Sequence, residues 1–252
     1  MYGRIKHLHP AQWTNDDWIV IGEDPDGDGI GAPVLSHQKP NVGKEYPRQV
    51  PQASDEFNTN KLDLQWQWQA HENPRWFSLH ARPGYIRLFA EPCPTEHGNL
   101  YFAGNLLLQK LSAPAFMITT YLETEFTDTG ERAGAIVMGN EYTYIAIIKG
   151  EDGNRISVVN GRNDRLAVVP EELASIGTAN NRVWFRIHIY DNQECSFLYS
   201  TDGVHFTKLG GRYPVKSGTW IGGKVGIFCS SPNIVTGNGY ADFDYFRLEI
   251  LQ

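Results

Sequence analysis

Glu123 and Glu125 stand two residues apart in the run Thr120-Tyr-Leu-Glu-Thr-Glu-Phe126, a spacing that puts both carboxyls on one face of a strand. Two acids so placed are the minimum for cleaving a glycosidic bond, one donating a proton while the other acts as base or nucleophile. Three more acids, Asp24, Asp26 and Asp28, alternate in Asp24-Pro-Asp-Gly-Asp-Gly-Ile-Gly31, which is how a calcium loop begins. The position where an EF-hand loop closes with a bidentate Glu is Leu35, so that loop type is excluded, and a solvated Asp-Gly turn is the plain alternative. Asp242 and Asp244 alternate near the C-terminus, which would place both on one strand face and leave Phe243, Tyr245 and Leu248 for packing. His7 and His9 share a face but have no carboxylate or thiol at ligand spacing, so no metal is expected there.

A second group of residues could read a neutral, hydroxyl-rich ligand. Asn140, Tyr142, Tyr144, His188 and Tyr190 combine ring faces with hydrogen-bonding tips, the parts of a shallow sugar cleft, although core and strand-edge roles compete for each. Trp66 and Trp68 face one side of a strand, and Gln65, Gln67 and Gln69 face the other. Either the indoles are buried and the amides line an open sheet, or the rings form a stacking platform; ring size favours burial.

The elements that must position these residues are strands. From Phe57 onward short apolar runs recur between turn signals, the pattern of a β-sandwich: 66–69, 76–80, 85–89, 105–110, 116–126, 132–138, 142–149, 155–160, 183–190, 194–200, 224–229 and 241–249. One helical turn is expected at 170–176, where Pro170-Glu-Glu resembles a helix N-terminus. Asp202-Gly203 would supply the positive φ angles of a tight hairpin. Residues 1–53 form an extension of two strand candidates, 3–8 and 18–21, followed by a Gly-, Pro- and Asp-rich stretch from Glu23 to Pro51. This piece is too small to bury a core of its own.

Composition excludes several classes. A net charge of −7 and a pI near 5.6 argue against nucleic acid, whose phosphates need clustered Lys and Arg. No apolar run reaches the roughly 20 residues of a membrane span, and Met1–Pro10 lacks the apolar core of a signal peptide; the compartment stays open. Cys93, Cys195 and Cys229 fit neither a zinc motif nor a disulfide framework, and Cys195 and Cys229 read as small buried hydrophobes. Seven Trp and twelve Tyr suit both an aromatic core and pyranose stacking.

The final run Gly239-Tyr-Ala-Asp-Phe-Asp-Tyr-Phe-Arg-Leu-Glu249, read with Leu64-Gln-Trp-Gln-Trp68, Arg82-Pro-Gly-Tyr-Ile-Arg-Leu88 and Gly218-Thr-Trp-Ile-Gly-Gly-Lys-Val-Gly-Ile-Phe228, resembles the C-terminal concanavalin-A-like domain of family 43 β-xylosidases. Gly3-Arg-Ile-Lys-His-Leu-His-Pro-Ala-Gln-Trp13 with Asp17-Trp-Ile-Val-Ile-Gly22 resembles the tail of the catalytic propeller that precedes it. The resemblance implies an all-β, concanavalin-A-like jelly-roll β-sandwich of two antiparallel sheets over residues 54–252, with 1–53 as a propeller-tail-like extension and linker. It also implies a loop at Trp220–Gly226 beside the mouth of the propeller's active site, where some members present Phe and this chain has Lys224. By the same resemblance a structural calcium ion would be held by Asp242 or Asp244 with an acid near the domain start, here Asp55, and members often form dimers or tetramers. The family's three catalytic acids lie in propeller blades outside this chain. Concanavalin-A-like hydrolases that act from this fold carry a longer acidic run, Glu-x-Asp-x-Glu or a close variant, and Thr120-Tyr-Leu-Glu-Thr-Glu-Phe126 lacks the middle acid.

The function expected is therefore a non-catalytic module contacting xylan or arabinoxylan oligosaccharides, with Trp66, Gln67, Trp68, Tyr142, Tyr144, His188, Trp220 and Lys224 as contacts, and shaping the entrance of a partner catalytic propeller. The alternatives are a glycosidase using Glu123 and Glu125, or a purely structural interface domain, which would show an exposed apolar patch.

Overall fold

A computed structural model describes residues 3, 7–47, 49–95, 97–112, 114–163, 169–232 and 238–251. The chain divides into two compact units, one of residues 4–50 and one of residues 1–3 with 51–252.

In the smaller unit β1 (Ala11–Trp13) pairs antiparallel with β2 (Ile19–Ile21). The expected strand at 18–21 is present, while residues 4–6 of the expected 3–8 strand lie outside the described residues, and 7–10 are not in a strand. His7 and His9 thus share no strand face, although their rings lie 6.2 Å apart.

The larger unit is a sandwich. Its early strands are short: β3 (Gln67–Trp68), β4 (Phe77–Ser78), β5 (Ile86–Phe89), β6 (Glu91–Pro92) and β7 (Leu107–Lys110). The long strands follow: β8 (Phe116–Glu125), β9 (Arg132–Met138), β10 (Glu141–Lys149), β11 (Asn154–Arg162), β12 (Glu171–Thr178), β13 (Arg182–Ile189), β14 (Glu194–Ser200), β15 (Thr207–Pro214), β16 (Lys224–Ser231) and β17 (Tyr240–Ile250). One sheet runs β12-β11-β10-β9-β16-β7-β3, with β6 added parallel to β16; the other runs β15-β14-β13-β8-β17-β5-β4. The concanavalin-A-like all-β sandwich is thus present.

Residues of one parity fill the space between the sheets. Ile118 and Leu122 of β8, Val183, Phe185 and Ile187 of β13, and Phe243 and Phe246 of β17 meet Val137 of β9, Ile145 and Ile147 of β10, and Val225 and Ile227 of β16, all at most 3% exposed. At about 25 cal/mol per Å² of apolar surface removed from water, this layer is the main stabilising term. The opposite parity of the first sheet is buried too. Leu108, Ile136, Met138, Tyr142, Tyr144 and Phe228 lie beneath Cys93, Leu100, Ala103 and Leu106, whose segment includes a 3-10 turn at Leu100–Phe102. Strands β9, β10 and β16 are therefore covered on both faces, which explains their nearly unbroken apolar runs. All three cysteines are buried and unpaired, and burial pushes the Cys195 thiol up to about 12.

Two local expectations are corrected. The segment at 170–176 forms strand β12 beside β11, not a helical turn; ladder bonds to a long neighbouring strand outweigh one favourable helix start. Between β14 and β15 the chain makes a six-residue connection, 201–206, with positive φ at Gly203 alone of the two turn residues. Asp202 acts through its side chain, accepting the amides of Val204 and His205 at 2.8 Å each. A Cβ on Gly203 would come 2.9 Å from the Trp184 ring, so both φ and space require glycine there.

Candidate functional site

The residues expected to act together are dispersed to several places. Trp66 and Trp68 point into the sandwich: Trp66 stacks on Phe57 and meets Phe246 edge-on, and Trp68 packs against Trp76 and Phe77. The choice that the alternating run left open is settled for burial of the rings. Tyr142 and Tyr144 are 1% exposed and closed over by the 93–106 segment. The Tyr142 hydroxyl accepts the Leu100 amide at 3.0 Å, and its ring occupies the space above Gly161, where a Cβ would lie 2.2 Å from the hydroxyl. The Tyr144 hydroxyl accepts from Arg132 at 3.0 Å. Neither ring presents a stacking face; a covering segment, invisible to strand periodicity, took both.

His188 lies on the outward face of the seven-stranded sheet, half-buried, with its Nε2 buried and without a hydrogen-bond partner. Burial, reinforced by Arg186, lowers its pKa. The same face carries a charge network. Arg87 holds Asp242 through two bonds of 2.7 and 2.9 Å, and Arg82 bridges Asp242 at 3.5 Å and Glu123 at 3.0 Å. Glu123 also accepts the Tyr121 hydroxyl at 2.9 Å. Burial pushes Glu123 upward, but the bonds from Arg82 and Tyr121 outweigh it and leave the carboxyl below its usual range. An acid committed to two donors is poorly placed as a base or nucleophile, and Glu125 is exposed at the end of β8.

The expected alternation of Asp242 with Asp244 is broken. Asp242 is opposite Glu123 and Tyr245 is opposite Tyr121, so the register slips by one residue at Asp244, a β-bulge that takes Asp244 out of phase. Burial, with Glu56 and Glu123 nearby, raises the Asp244 pKa despite Arg247 and Arg82. Asp55 accepts the Phe57 amide at 2.8 Å with Oδ1 and the Trp66 indole N–H at 2.7 Å with Oδ2. With Asp55 and Asp242 both occupied by donors, Asp55, Asp242 and Asp244 do not fit a calcium site. Among the described residues, the carboxylates close enough to share an ion are Asp24, Asp26 and Asp28; Asp24 there accepts the amides of Gly27, Asp28 and Gly29 in an exposed turn.

What the structure does bring together is a polar corner on the outer face of the first sheet. Gln67 is opposite Leu108, and Lys224 is opposite both Lys110 and Met138. Leu108 and Met138 belong to the outer layer, so Gln67, Lys110 and Lys224 point outward with them. Lys224 Nζ donates to Gln69 Oε1 at 2.6 Å, and burial lowers the lysine's pKa. The loop before β16 is tied to the β9–β10 turn by Asn140 N–H to Ser217 O at 3.0 Å and Thr219 Oγ1 to Asn140 Oδ1 at 3.3 Å. That tie sets Trp220, 66% exposed, at the end of the sheet where Met138 and Lys224 lie. Asn140 and Gln69 are among the residues that the sequence offers for a sugar cleft or an open amide-lined sheet, whereas Lys110 was not expected and is placed by the pairing of distant strands.

The sequence pattern of the β-xylosidase C-terminal concanavalin-A-like domain matches residues 54–249. A β-xylosidase of Formosa agariphila is 29% identical over 98% of this chain and 43% of its own length. A putative β-xylosidase of Xylanibacter ruminicola is 30% identical over 89% and 39%. The crystal structure of the GH43 protein BlXynB of Bacillus licheniformis superposes with a TM-score of 0.75 at 26% identity, covering 99% of this chain and 47% of that one. The chain thus spans less than half the length of these relatives. With its sandwich and the match over 54–249, the chain belongs to the family of C-terminal concanavalin-A-like domains of family 43 β-xylosidases.

Proposed function

We propose that the chain is a non-catalytic ancillary module of a xylan-degrading glycoside hydrolase, which contacts xylan or arabinoxylan oligosaccharides and shapes the substrate entrance of a partner catalytic propeller. The observation that carries this reading is the corner of Gln67, Gln69, Lys224 and Trp220: amides and an ammonium beside an exposed indole are what hydroxyls and a pyranose face require. The commitment of Glu123 to Arg82 and Tyr121 supports binding without turnover. An inverting hydrolase needs two available carboxyls about 6.5–9.5 Å apart around a water.

Calorimetric titration with xylohexaose, alongside an aryl-xyloside assay, tests the reading. Saturable binding that weakens in Trp220→Ala, without turnover, is expected; a heat signal absent at millimolar ligand would sink the sugar contact. A docking role for the smaller unit has its own support. Ala11, Trp13, Ile19 and Ile21 share one face of the β1–β2 hairpin, and Trp13 is 74% and Ile21 57% exposed, an apolar face suited to a neighbouring propeller blade.

A further inference from the structure

Lys224 is 9% exposed, and among the described residues its ammonium has one hydrogen-bond acceptor, the neutral amide oxygen of Gln69. An ammonium carries three donors, and a buried cation ordinarily meets a carboxylate. Among the described residues neither Lys224 nor Lys110 comes within ion-pair distance of an acid, although the chain carries 29 acids against 22 Lys and Arg. Instead the two lysines stand directly opposite each other on adjacent strands, an arrangement of like charges that is itself unfavourable. Five arginines elsewhere in the domain, Arg82, Arg87, Arg155, Arg212 and Arg247, each meet a carboxylate, and buried Arg132 is held instead by the Tyr144 hydroxyl and the Gly98 carbonyl. What sets the corner apart is the pairing of two lysines across adjacent strands, and it lies beside Gln67 and the exposed Trp220.

We infer that this corner takes a carboxylate-bearing sugar, a uronic acid carried as a side group on a pentose chain, with the carboxylate on Lys224 and Lys110 and the hydroxyls on Gln67 and Gln69. The inference rests on the sugar-contact reading above and adds a charge preference to it. A carboxylate supplies the acceptors that Gln69 alone does not and removes the opposition between the two lysines. The exposed indole is left for the neighbouring neutral ring. Neutral xylose supplies acceptors without charge and leaves that opposition in place.

The test compares a xylotriose bearing one 4-O-methylglucuronic acid with neutral xylotetraose, by calorimetry on the full chain at low and high sodium chloride. The acidic ligand is expected to bind about tenfold more tightly at low salt, the scale of one charge-assisted bond, with the advantage shrinking as salt rises. Lys224→Met, which keeps the length and packing of the stem, is expected to equalise the two ligands, and Lys110→Gln to narrow the gap. Equal binding of both ligands by the unaltered chain overturns the inference and leaves the lysines to a protein carboxylate. A preference that survives Lys224→Met or ignores salt overturns it as well. If the chain binds neither ligand, the sugar-contact reading fails first and this inference falls with it. Should Lys224→Met fail to fold, Lys110→Gln and the salt series decide the matter.

Discussion

Asp55 offers the sharpest test of how the domain is held together, because the resemblance makes it a metal ligand and the structure makes it a staple. Its carboxylate is 7% exposed and joins the start of the domain to the core through the Phe57 amide and the Trp66 indole. Its backbone also pairs with Phe246 in β17 in both directions, at 2.8 Å. Phe57 holds a φ of 49°, a conformation costly for an aromatic residue, and the Asp55 bond helps retain it. Asp55→Ala removes two hydrogen bonds to an ionised acceptor, about 1.5–3 kcal/mol each, and leaves two buried donors unmatched, so a loss of about 3–5 kcal/mol is expected. For a domain of this size that lowers the melting temperature by roughly 6–20 °C. Asp55→Asn keeps one acceptor but turns an NH2 group toward a donor, and is expected to lose about half as much. Urea unfolding followed by near-ultraviolet circular dichroism, in EDTA and in calcium, measures both variants. A staple gives the same loss in either buffer. A loss below 1 kcal/mol, or one seen only with calcium, would refute the reasoning and return Asp55 to a metal site.

Other consequences can be checked with the same unfolding assay. Tyr142→Phe strands the Leu100 amide under the covering segment and is expected to cost about 1–3 kcal/mol, with xylohexaose affinity unchanged because the ring is enclosed; altered affinity would contradict that placement. Glu123 has its pKa held down in the folded state, so its stabilisation is present above the unfolded carboxyl range near pH 4.5 and is lost as pH falls through the folded value. Glu123→Gln should therefore be less stable than the parent at pH 7 and equal to it near pH 2; an unchanged gap would show that the Arg82 pairing is not its source. Replacing both Glu123 and Glu125 by Gln is expected to leave the aryl-xyloside assay at its background, and a drop from a measurable rate would establish the sandwich as an enzyme.

Most of the architecture was written in local patterns. Strands at 116–125, 132–138 and 194–200 follow from short apolar runs bounded by turn residues, because largely buried strands read as nearly unbroken apolar stretches of strand length. The orientation of Trp66 against Gln67 follows from the same alternation once one face is known to be buried. Where competing local signals were nearly balanced, neighbours decided. Pro170-Glu-Glu could start a helix, but β11 offered a ladder, and Gly210-Gly211 concealed β15 until β14 paired with it.

The candidate site was legible in part. Composition and the motif order at 64–68, 82–88, 218–228 and 239–249 pointed to a sugar-related sandwich, and Lys224, Trp220 and Gln67 could be named as contacts. Which tyrosines were sealed, that Asp55 and Asp242 were already occupied, that a bulge displaced Asp244, and that Lys110 stood against Lys224 were decided by tertiary structure. These depend on pairings between residues more than a hundred positions apart, as with Lys224 and Lys110, or on a segment folding over a sheet. Side-chain period tells a residue which face it shares, whereas only the assembled sheets determine what lies across from it.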